Sequence, residues 1–224
     1  MTMRIIEEAR RRIAEPYQET ERIAILNQEK VLKAFHKERV SSDCFSESTG
    51  YAYHDLGRQT LEAVYANVFK GEAALVRPQI SSGTHAISIC LSLLEPGEEL
   101  VSISGAPYDT LQMVIGVKGQ SKRSLVTRGV KYREVPLKAD GTLDFEAIAQ
   151  AVTPNTRMVT LQRPRGYSWR PPIDIAHISE AVEVVRKSNP NCIFFVDNCY
   201  GEFVEPYEPL EAGADLIAGS LIKN

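Results

Sequence analysis

The sequence predicts an α/β fold in which helices cover both faces of a mainly parallel sheet. Strand-like and helical segments alternate from residue 73 onward, and the connections between them are short. Residues 193–196 are apolar at every position, as in a strand that is buried on both faces. A chain of 224 residues is long enough to bury the core that such a sheet needs.

Two amphipathic helices are predicted to precede this main domain, over residues 4–15 and 17–39, with Pro16 between them. Their apolar residues recur close to the helical period, and the remaining positions are charge-rich. We assign residues 1–50 to an N-terminal helical arm with its loop, and residues 51–224 to the main domain. An arm of this kind indicates packing on another surface, often that of a partner subunit.

The elements of the main domain are predicted from hydrophobic periodicity and from the glycines and prolines that interrupt it. The predicted helices cover residues 59–70, 86–94, 111–117, 144–151 and 175–187. The predicted strands cover residues 73–77, 99–104, 131–135, 157–162, 192–196 and 216–218. Ligands of parallel α/β sheets bind beyond the carboxyl ends of the strands, so the residues that follow each strand are the candidates for a site.

The composition argues against several classes of function. The formal net charge is −3, and the local basic runs lack the interleaved aromatic residues typical of single-strand nucleic-acid binding. No apolar run has the length of a membrane span. The four cysteines lack metal-ligand spacing and stand mostly in apolar contexts, which fits a reduced, cytoplasmic protein without a disulfide framework.

Residues 81–84, Ser-Ser-Gly-Thr, follow the predicted strand at 73–77 and lead into a helix. Small residues let backbone N–H groups approach a phosphate closely, and the partial positive charge of a helix N-terminus favours an anion. An ordinary Ser/Thr helix cap fits the same pattern, so both interpretations stay open. Neither a Walker lysine nor a G-x-G-x-x-G pattern is present, which excludes the usual nucleotide fingerprints.

Other chemistry-bearing residues also follow predicted strands. Tyr108 begins a helix, where its ring could either cover a planar cofactor or pack in the interior. Asp197 ends the central strand in a poorly solvated place, so its carboxylate needs a partner such as a protein cation, a metal or a protonated ligand ring. Ser220 and Lys223 follow the last strand. A lysine among apolar neighbours is a candidate nucleophile, although most lysines are surface charges.

Four stretches occur in an order that is similar to a known family: Ser82-Gly83-Thr84-His85-Ala86, Ala106-Pro107-Tyr108-Asp109-Thr110, Val196-Asp197-Asn198, and Ala214-Asp215 followed by Ser220-Leu221-Ile222-Lys223. The chain resembles the fold-type I pyridoxal-phosphate enzymes, and within them the cysteine/methionine-metabolism group of C–S lyases. It looks closest to the methionine gamma-lyase-like or "aluminium resistance" branch. The resemblance covers residues 50–224 and implies roughly as much sequence again, with a smaller C-terminal domain and an arginine for the substrate carboxylate.

The resemblance implies that the cofactor is pyridoxal 5'-phosphate and that the substrate is a sulfur-containing amino acid. Lys223 would form the Schiff base and then act as general base, while Asp197 keeps the ring nitrogen protonated. Tyr108 would cover the ring and belong to the catalytic set. The residues implied to hold the phosphate are Ser82, Gly83, Thr84 and Ser220.

The resemblance further implies a homodimer or homotetramer in which residues 51–58 complete the neighbouring subunit's site. Tyr53 and Arg58 are the cofactor-binding candidates there, although their spacing differs from the Tyr-x-Arg of the better-known C–S lyases. Ile222 also departs from the family pattern, because a threonine with a phosphate-binding hydroxyl is usual at that position. His85 is an alternative stacking residue to Tyr108.

Two matters stay open at the level of sequence. The arginines of residues 162–170 could attract an anionic group or could be ordinary exposed loop residues. The cofactor residues are shared among transamination, decarboxylation and aldol cleavage, so these reactions are alternatives to C–S lysis. A non-enzymatic α/β binding domain is a further alternative, and it predicts a colourless protein.

Overall fold

The computed structural model describes residues 2–50, 55–119 and 121–223. The chain divides into two compact units, the first made of residues 1–76 with 203–206, and the second of residues 77–202 with 207–224. The predicted boundary between residues 50 and 51 falls beside residues 51–54, which lie outside the described residues. That boundary stays a prediction.

The first unit is helical. Helix α1 is Thr2–Arg12, α2 is Ala14–Lys37, a 3₁₀ turn covers Ser42–Phe45, and α3 is Leu56–Phe69. The two predicted N-terminal helices are present, but they meet at Ile13 and not at Pro16. Pro16 lies in the first turn of α2, where a missing N–H group costs nothing because helix N–H groups there have no intrahelical acceptor.

The end of this unit differs from the prediction as well. Residues 73–77 were expected to form a strand, yet they have no regular structure. The Val76 N–H donates to the Glu62 carboxylate at 3.1 Å, and the Leu75 side chain is 62% exposed. The short apolar run therefore has neither the hydrogen bonds nor the burial of a sheet strand. Lys70 ends α3 in the left-handed conformation (φ 59°), one residue before the predicted stop at Gly71.

The second unit contains a five-stranded sheet among the described residues. The strands are β1 Glu99–Ser102, β2 Lys131–Glu134, β3 Thr156–Gln162, β4 Ile193–Asp197 and β5 Leu216–Ala218. Their order across the sheet is β2-β1-β3-β4-β5, and every neighbouring pair is parallel. The parallel sheet is confirmed, and β4 is an interior strand as the apolar run predicted.

Helices cover both faces of this sheet, as predicted. They are α4 Gly83–Leu91, α5 Asp109–Ile115, α6 Phe145–Ala151 and α7 Ile175–Ser188. Side chains of α4 and α5 pack with Phe195 on one face, and those of α6 and α7 pack with Phe194 on the other. Adjacent strand residues point to opposite faces, so β4 is anchored on both sides and its end is held firmly. Within the described residues, no helix is long and apolar enough to cross a membrane.

Candidate functional site

The candidate site lies in the second unit, where the turns after β4 and β5 meet the start of α4. Asp197 is the last residue of β4, and Ala218 is the last residue of β5. The two ends are registered side by side, and the Asn198 N–H donates to the Ala218 carbonyl at 2.8 Å. This pairing carries the segments that follow Asp197 and Ala218 out of the same edge of the sheet.

Gly83 is the point at which these segments approach each other. A Cβ atom at Gly83 would lie 3.1 Å from Cys199 Sγ, 3.8 Å from Lys223 Nζ and 3.9 Å from Ser220 Cβ. The first residue of α4 therefore faces the turn after β4 and the turn after β5 at van der Waals distance. A larger residue would crowd Cys199, since 3.1 Å is shorter than an ordinary contact.

Ser82 caps α4. Its backbone is extended (φ −163°, ψ 163°), and its hydroxyl accepts the His85 N–H at 3.1 Å. The helix-cap interpretation of this serine is thus correct, and its own O–H remains a donor. The His85 ring nitrogen Nδ1 accepts the Ser81 N–H at 3.3 Å, so that ring is tied to the same turn. The N–H group of Gly83 belongs to the first helical turn, where an anion is a natural acceptor.

Tyr108 reaches the same helix start. It is half-buried, and its hydroxyl lies 3.1 Å from Thr84 Oγ1, while its N–H donates to Gln162 Oε1 at 3.3 Å. Burial raises the pKa of the Tyr108 phenol; the Thr84 hydrogen bond opposes this, and the negative charge of Asp197 adds to it. The phenol is therefore neutral at physiological pH, and Tyr108 is held by hydrogen bonds at both its hydroxyl and its backbone N–H.

Asp197 is buried, with 3% of its surface exposed. Its Oδ1 accepts the Cys199 N–H at 3.1 Å. Burial raises the pKa of the Asp197 carboxyl, whereas the hydrogen bonds from Cys199 and the charge of Lys223 act in the opposite direction. A carboxylate in this setting is costly unless a cation lies beside it.

Lys223 lies beyond the end of β5 and is held by a short turn. Its N–H donates to the Ser220 carbonyl at 3.0 Å, and its Nζ lies 4.5 Å from the centre of the Tyr200 ring. That distance is within the range of a cation–π interaction. Tyr200 itself has φ +63°, which is a strained conformation for a tyrosine. Ile222, at the position of the expected threonine, is 94% exposed.

Tyr200 and Glu202, near Lys223, are not among the residues predicted from the sequence, and Cys199 is predicted there only as one of the cysteines in apolar contexts. Cys199, Tyr200 and Glu202 all lie between Asp197 and the next proline, and the first two directly follow the motif that was recognised. Burial, followed by the charge of Asp197, raises the pKa of the Cys199 thiol to about 12. The signal that could have found them is proximity: a turn that leaves a central strand must pass beside the residues that leave the neighbouring strand.

Two of the three arginines in residues 162–170 have structural roles. The sequence alone leaves open whether these arginines bind an anion or are exposed loop residues. Arg163 is 2% exposed, and its guanidinium donates to Asn198 Oδ1 at 2.7 Å and to the Gly201 carbonyl at 2.8 Å. Arg170 is also buried and donates to the Gln162 and Pro164 carbonyls at 2.8 Å and 2.6 Å. Both arginines therefore brace backbone. Arg165 is exposed, as the alternative expectation had it.

The remaining cofactor-binding candidates are in residues 51–58, which belong to the first unit. Tyr51 and Tyr53 lie outside the described residues. Arg58 is in α3, where its N–H donates to the capping carboxylate of Asp55 at 2.9 Å and its guanidinium donates to the Gly50 carbonyl at 3.4 Å. Roles for Tyr53 and Arg58 at a cofactor stay predictions.

The groups around Gly83 fit pyridoxal 5'-phosphate by their chemistry. They supply an amine at Lys223, a buried carboxylate at Asp197, an aromatic ring at Tyr108 and a capped helix N-terminus with hydroxyls. The glycine leaves the backbone accessible where a side chain would fill the space. Among the described residues, no group of three or more potential metal ligands is found.

The parallel five-stranded sheet with helices on both faces has the α/β large-domain architecture of the fold-type I enzymes. Residues 2–224 match the model of the family described as methionine gamma-lyase. The chain belongs to this family.

Individual relatives place the chain more narrowly. It is 51% identical over 214 residues to "Uncharacterized protein YnbB" of Bacillus subtilis (strain 168), covering 95% of this chain and 51% of that protein. It is 32% identical over 190 residues to an L-methionine gamma-lyase of Pseudomonas putida, covering 80% of this chain and 41% of that protein. The chain thus spans about half the length of the relatives it matches.

A solved structure agrees closely with the fold. It belongs to a candidate cystathionine beta-lyase involved in aluminium resistance from Listeria innocua, with a TM-score of 0.97 and 51% identity. The alignment covers all of this chain and 55% of that chain. The predicted C–S lyase-like branch and the fold-type I architecture are confirmed.

Proposed function

We propose that this chain is the cofactor-binding part of a pyridoxal-phosphate lyase that cleaves a carbon–sulfur bond in an amino acid. The observation that carries the proposal is the approach of Lys223 Nζ and Ser220 to Gly83, at the edge of the sheet where Asp197 ends its strand. Membership of the methionine gamma-lyase family supports the reaction class. The names of relatives divide between methionine and cystathionine as substrate, so the substrate is proposed only as a sulfur-containing amino acid.

The proposed roles follow from the position of each group. Lys223 would hold the cofactor through its amine, and its Nζ would accept the proton from the substrate α-carbon. The buried carboxyl group of Asp197 would keep a proton on the ring nitrogen of the cofactor. The cofactor supplies an electron sink for the negative charge that develops at the α-carbon. Tyr108 covers the ring, and its hydroxyl stays with Thr84.

The phosphate is proposed to bind at the start of α4. The first-turn N–H groups at Gly83 and Thr84 and the hydroxyls of Ser82 and Ser220 are the donors. Ile222 has no hydroxyl to add, so this site relies more on backbone N–H groups than the family pattern does.

Assembly and location are part of the proposal. We propose a homo-oligomer in which residues 51–58 reach a neighbouring subunit's site, and a reducing cytoplasmic setting, in which the four cysteines stay free as they are in the structure.

The test is product analysis with the protein expressed at its native length. L-Methionine, L-cystathionine and L-cysteine are supplied separately, and the thiol, ammonia and keto acid are measured. We expect all three products from at least one substrate, and none above background from Lys223→Ala. Lys122→Ala, an exposed lysine on a turn, is the matched control and keeps full activity. Transfer of the amino group without thiol release would favour an aminotransferase, and full activity of Lys223→Ala would refute the role of Lys223.

A further inference from the structure

Glu202 is a buried carboxylate that the roles described above do not use. It is 2% exposed and stands at the end of the turn that follows β4. Its Oε1 accepts the N–H of Ser220 at 2.7 Å, across 18 residues of sequence. The carbonyl of Ser220 in turn accepts the N–H of Lys223 at 3.0 Å. One side chain therefore joins the turn after β4 to the turn that carries Lys223.

A carboxyl group is an expensive choice for this task. A backbone N–H can be satisfied by a neutral oxygen, and a buried carboxylate loses its hydration. Burial raises the pKa of Glu202, the Ser220 hydrogen bond lowers it, Asp197 raises it, and the positive charge of Lys223 lowers it. The positive charge of Lys223 is thus one of the influences that favour the charged form of Glu202.

The direction of Lys223 depends on this turn. The Nζ atom of Lys223 lies beside Gly83 and over the Tyr200 ring, although Lys223 as a whole is exposed. Leu221 and Ile222, between Ser220 and Lys223, are 51% and 94% exposed, so neither is anchored in the core. Ser220 is itself buried, and its hydrogen bond to Glu202 ties the start of this turn to the turn after β4.

We propose that Glu202 is a positioning residue, whose carboxyl oxygen holds the Ser220 backbone so that the Lys223 amine is aimed at the place beside Gly83. This inference rests on the proposed role of Lys223 in attaching the cofactor. It adds to that role a residue that acts on Lys223 through Ser220. The essential feature is the acceptor oxygen. A glutamine at this position keeps such an oxygen, so we expect Glu202→Gln to preserve the positioning of Lys223.

The experiment measures how fast Lys223 captures added pyridoxal 5'-phosphate. Apoprotein at its native length is mixed with the cofactor, quenched with borohydride at successive times, and the modified Lys223 peptide is quantified by mass spectrometry. Three variants are compared: Glu202→Gln keeps the acceptor oxygen, Glu202→Ala removes it, and Glu202→Asp is one methylene too short to reach Ser220. Glu211→Gln is the matched control, because Glu211 accepts the backbone N–H of Glu208 at 3.0 Å in the same region.

We expect Glu202→Ala and Glu202→Asp to slow capture about tenfold or more, as misplacement of a reacting group does. Glu202→Gln and Glu211→Gln should capture at the wild-type rate. If Glu202→Ala acted only through a general loss of packing, its thermal stability would fall, and Glu202→Gln would not restore the wild-type capture rate. The inference is overturned if Glu202→Ala captures at the wild-type rate, or if Glu202→Gln is as slow as Glu202→Ala. The wild-type sample tests the proposed function separately, because an adduct on another lysine would refute the role of Lys223 whatever the variants do.

Discussion

Substitution of Arg163 tests the buried network that supports the turn after Asp197. Arg163→Met replaces the aliphatic part of the arginine side chain but removes the guanidinium. That group donates to Asn198 Oδ1, the Gly201 carbonyl and the Ile173 carbonyl. It also removes the cation that lies 3.7 Å from the carboxylate of Glu208, a side chain with no exposed surface. Removal of one partner of a buried ion pair costs about 3–5 kcal/mol, since the other charge stays buried.

Urea denaturation of the apoprotein measures this loss. We expect the free energy of unfolding to fall by about 3–5 kcal/mol in Arg163→Met. Arg165→Met, an exposed arginine two residues away, is the matched control and should change it by less than about 0.5 kcal/mol. The reasoning fails if the two variants differ by less than about 1 kcal/mol. A second variant isolates the charge: in Arg163→Met/Glu208→Gln the buried anion is gone, so part of the lost stability should return.

Two further predictions concern titrating groups. In the folded apoprotein at pH 8, iodoacetamide should modify Cys44 well before Cys199, because a backbone hydrogen bond at Ser41 lowers the pKa of Cys44 while burial raises that of Cys199 to about 12. Peptide mass spectrometry checks this order, and early modification of Cys199 would contradict it. Asp197→Asn should make the apoprotein more stable at pH 7 than the wild type. Burial raises the pKa of Asp197, so the folded state binds more protons than the unfolded state above the ordinary carboxyl range, and stability falls as the pH rises through that window. Urea denaturation between pH 4 and 7 should show a smaller fall for Asp197→Asn, and equal slopes would refute the assignment.

Much of the fold follows from local pattern in the sequence. Strand β5 is predicted without error, and the other strands and the helices α4 to α7 are predicted to within a few residues at their ends. The periodicity of apolar residues carries this information, since each of these elements buries one or both faces. Residues 73–77 are the exception. Four apolar or small residues followed by Arg77 resemble a short strand, but the pattern does not reveal whether a neighbouring strand pairs with them.

The candidate site is predictable where it depends on strand ends. Asp197 ends an interior strand, as the pattern of the chain indicates, and α4 begins at Gly83, three residues before the predicted start at residue 86. The supporting contacts are not predictable in this way. Glu202 bonds to Ser220 across 18 residues, and Arg163 bonds to Asn198 across 35. Such pairs leave no periodic signal, so a buried arginine is easily mistaken for a ligand-binding one.

The central claim is that the amine of Lys223 attaches pyridoxal 5'-phosphate. The most direct measurement is borohydride reduction of the wild-type protein carrying its cofactor, followed by peptide mapping of the modified lysine. The account predicts one reduced adduct, on Lys223, and a colourless protein with no adduct in Lys223→Ala. An adduct on a different lysine, or a visible cofactor band that survives in Lys223→Ala through a reducible bond elsewhere, would contradict it.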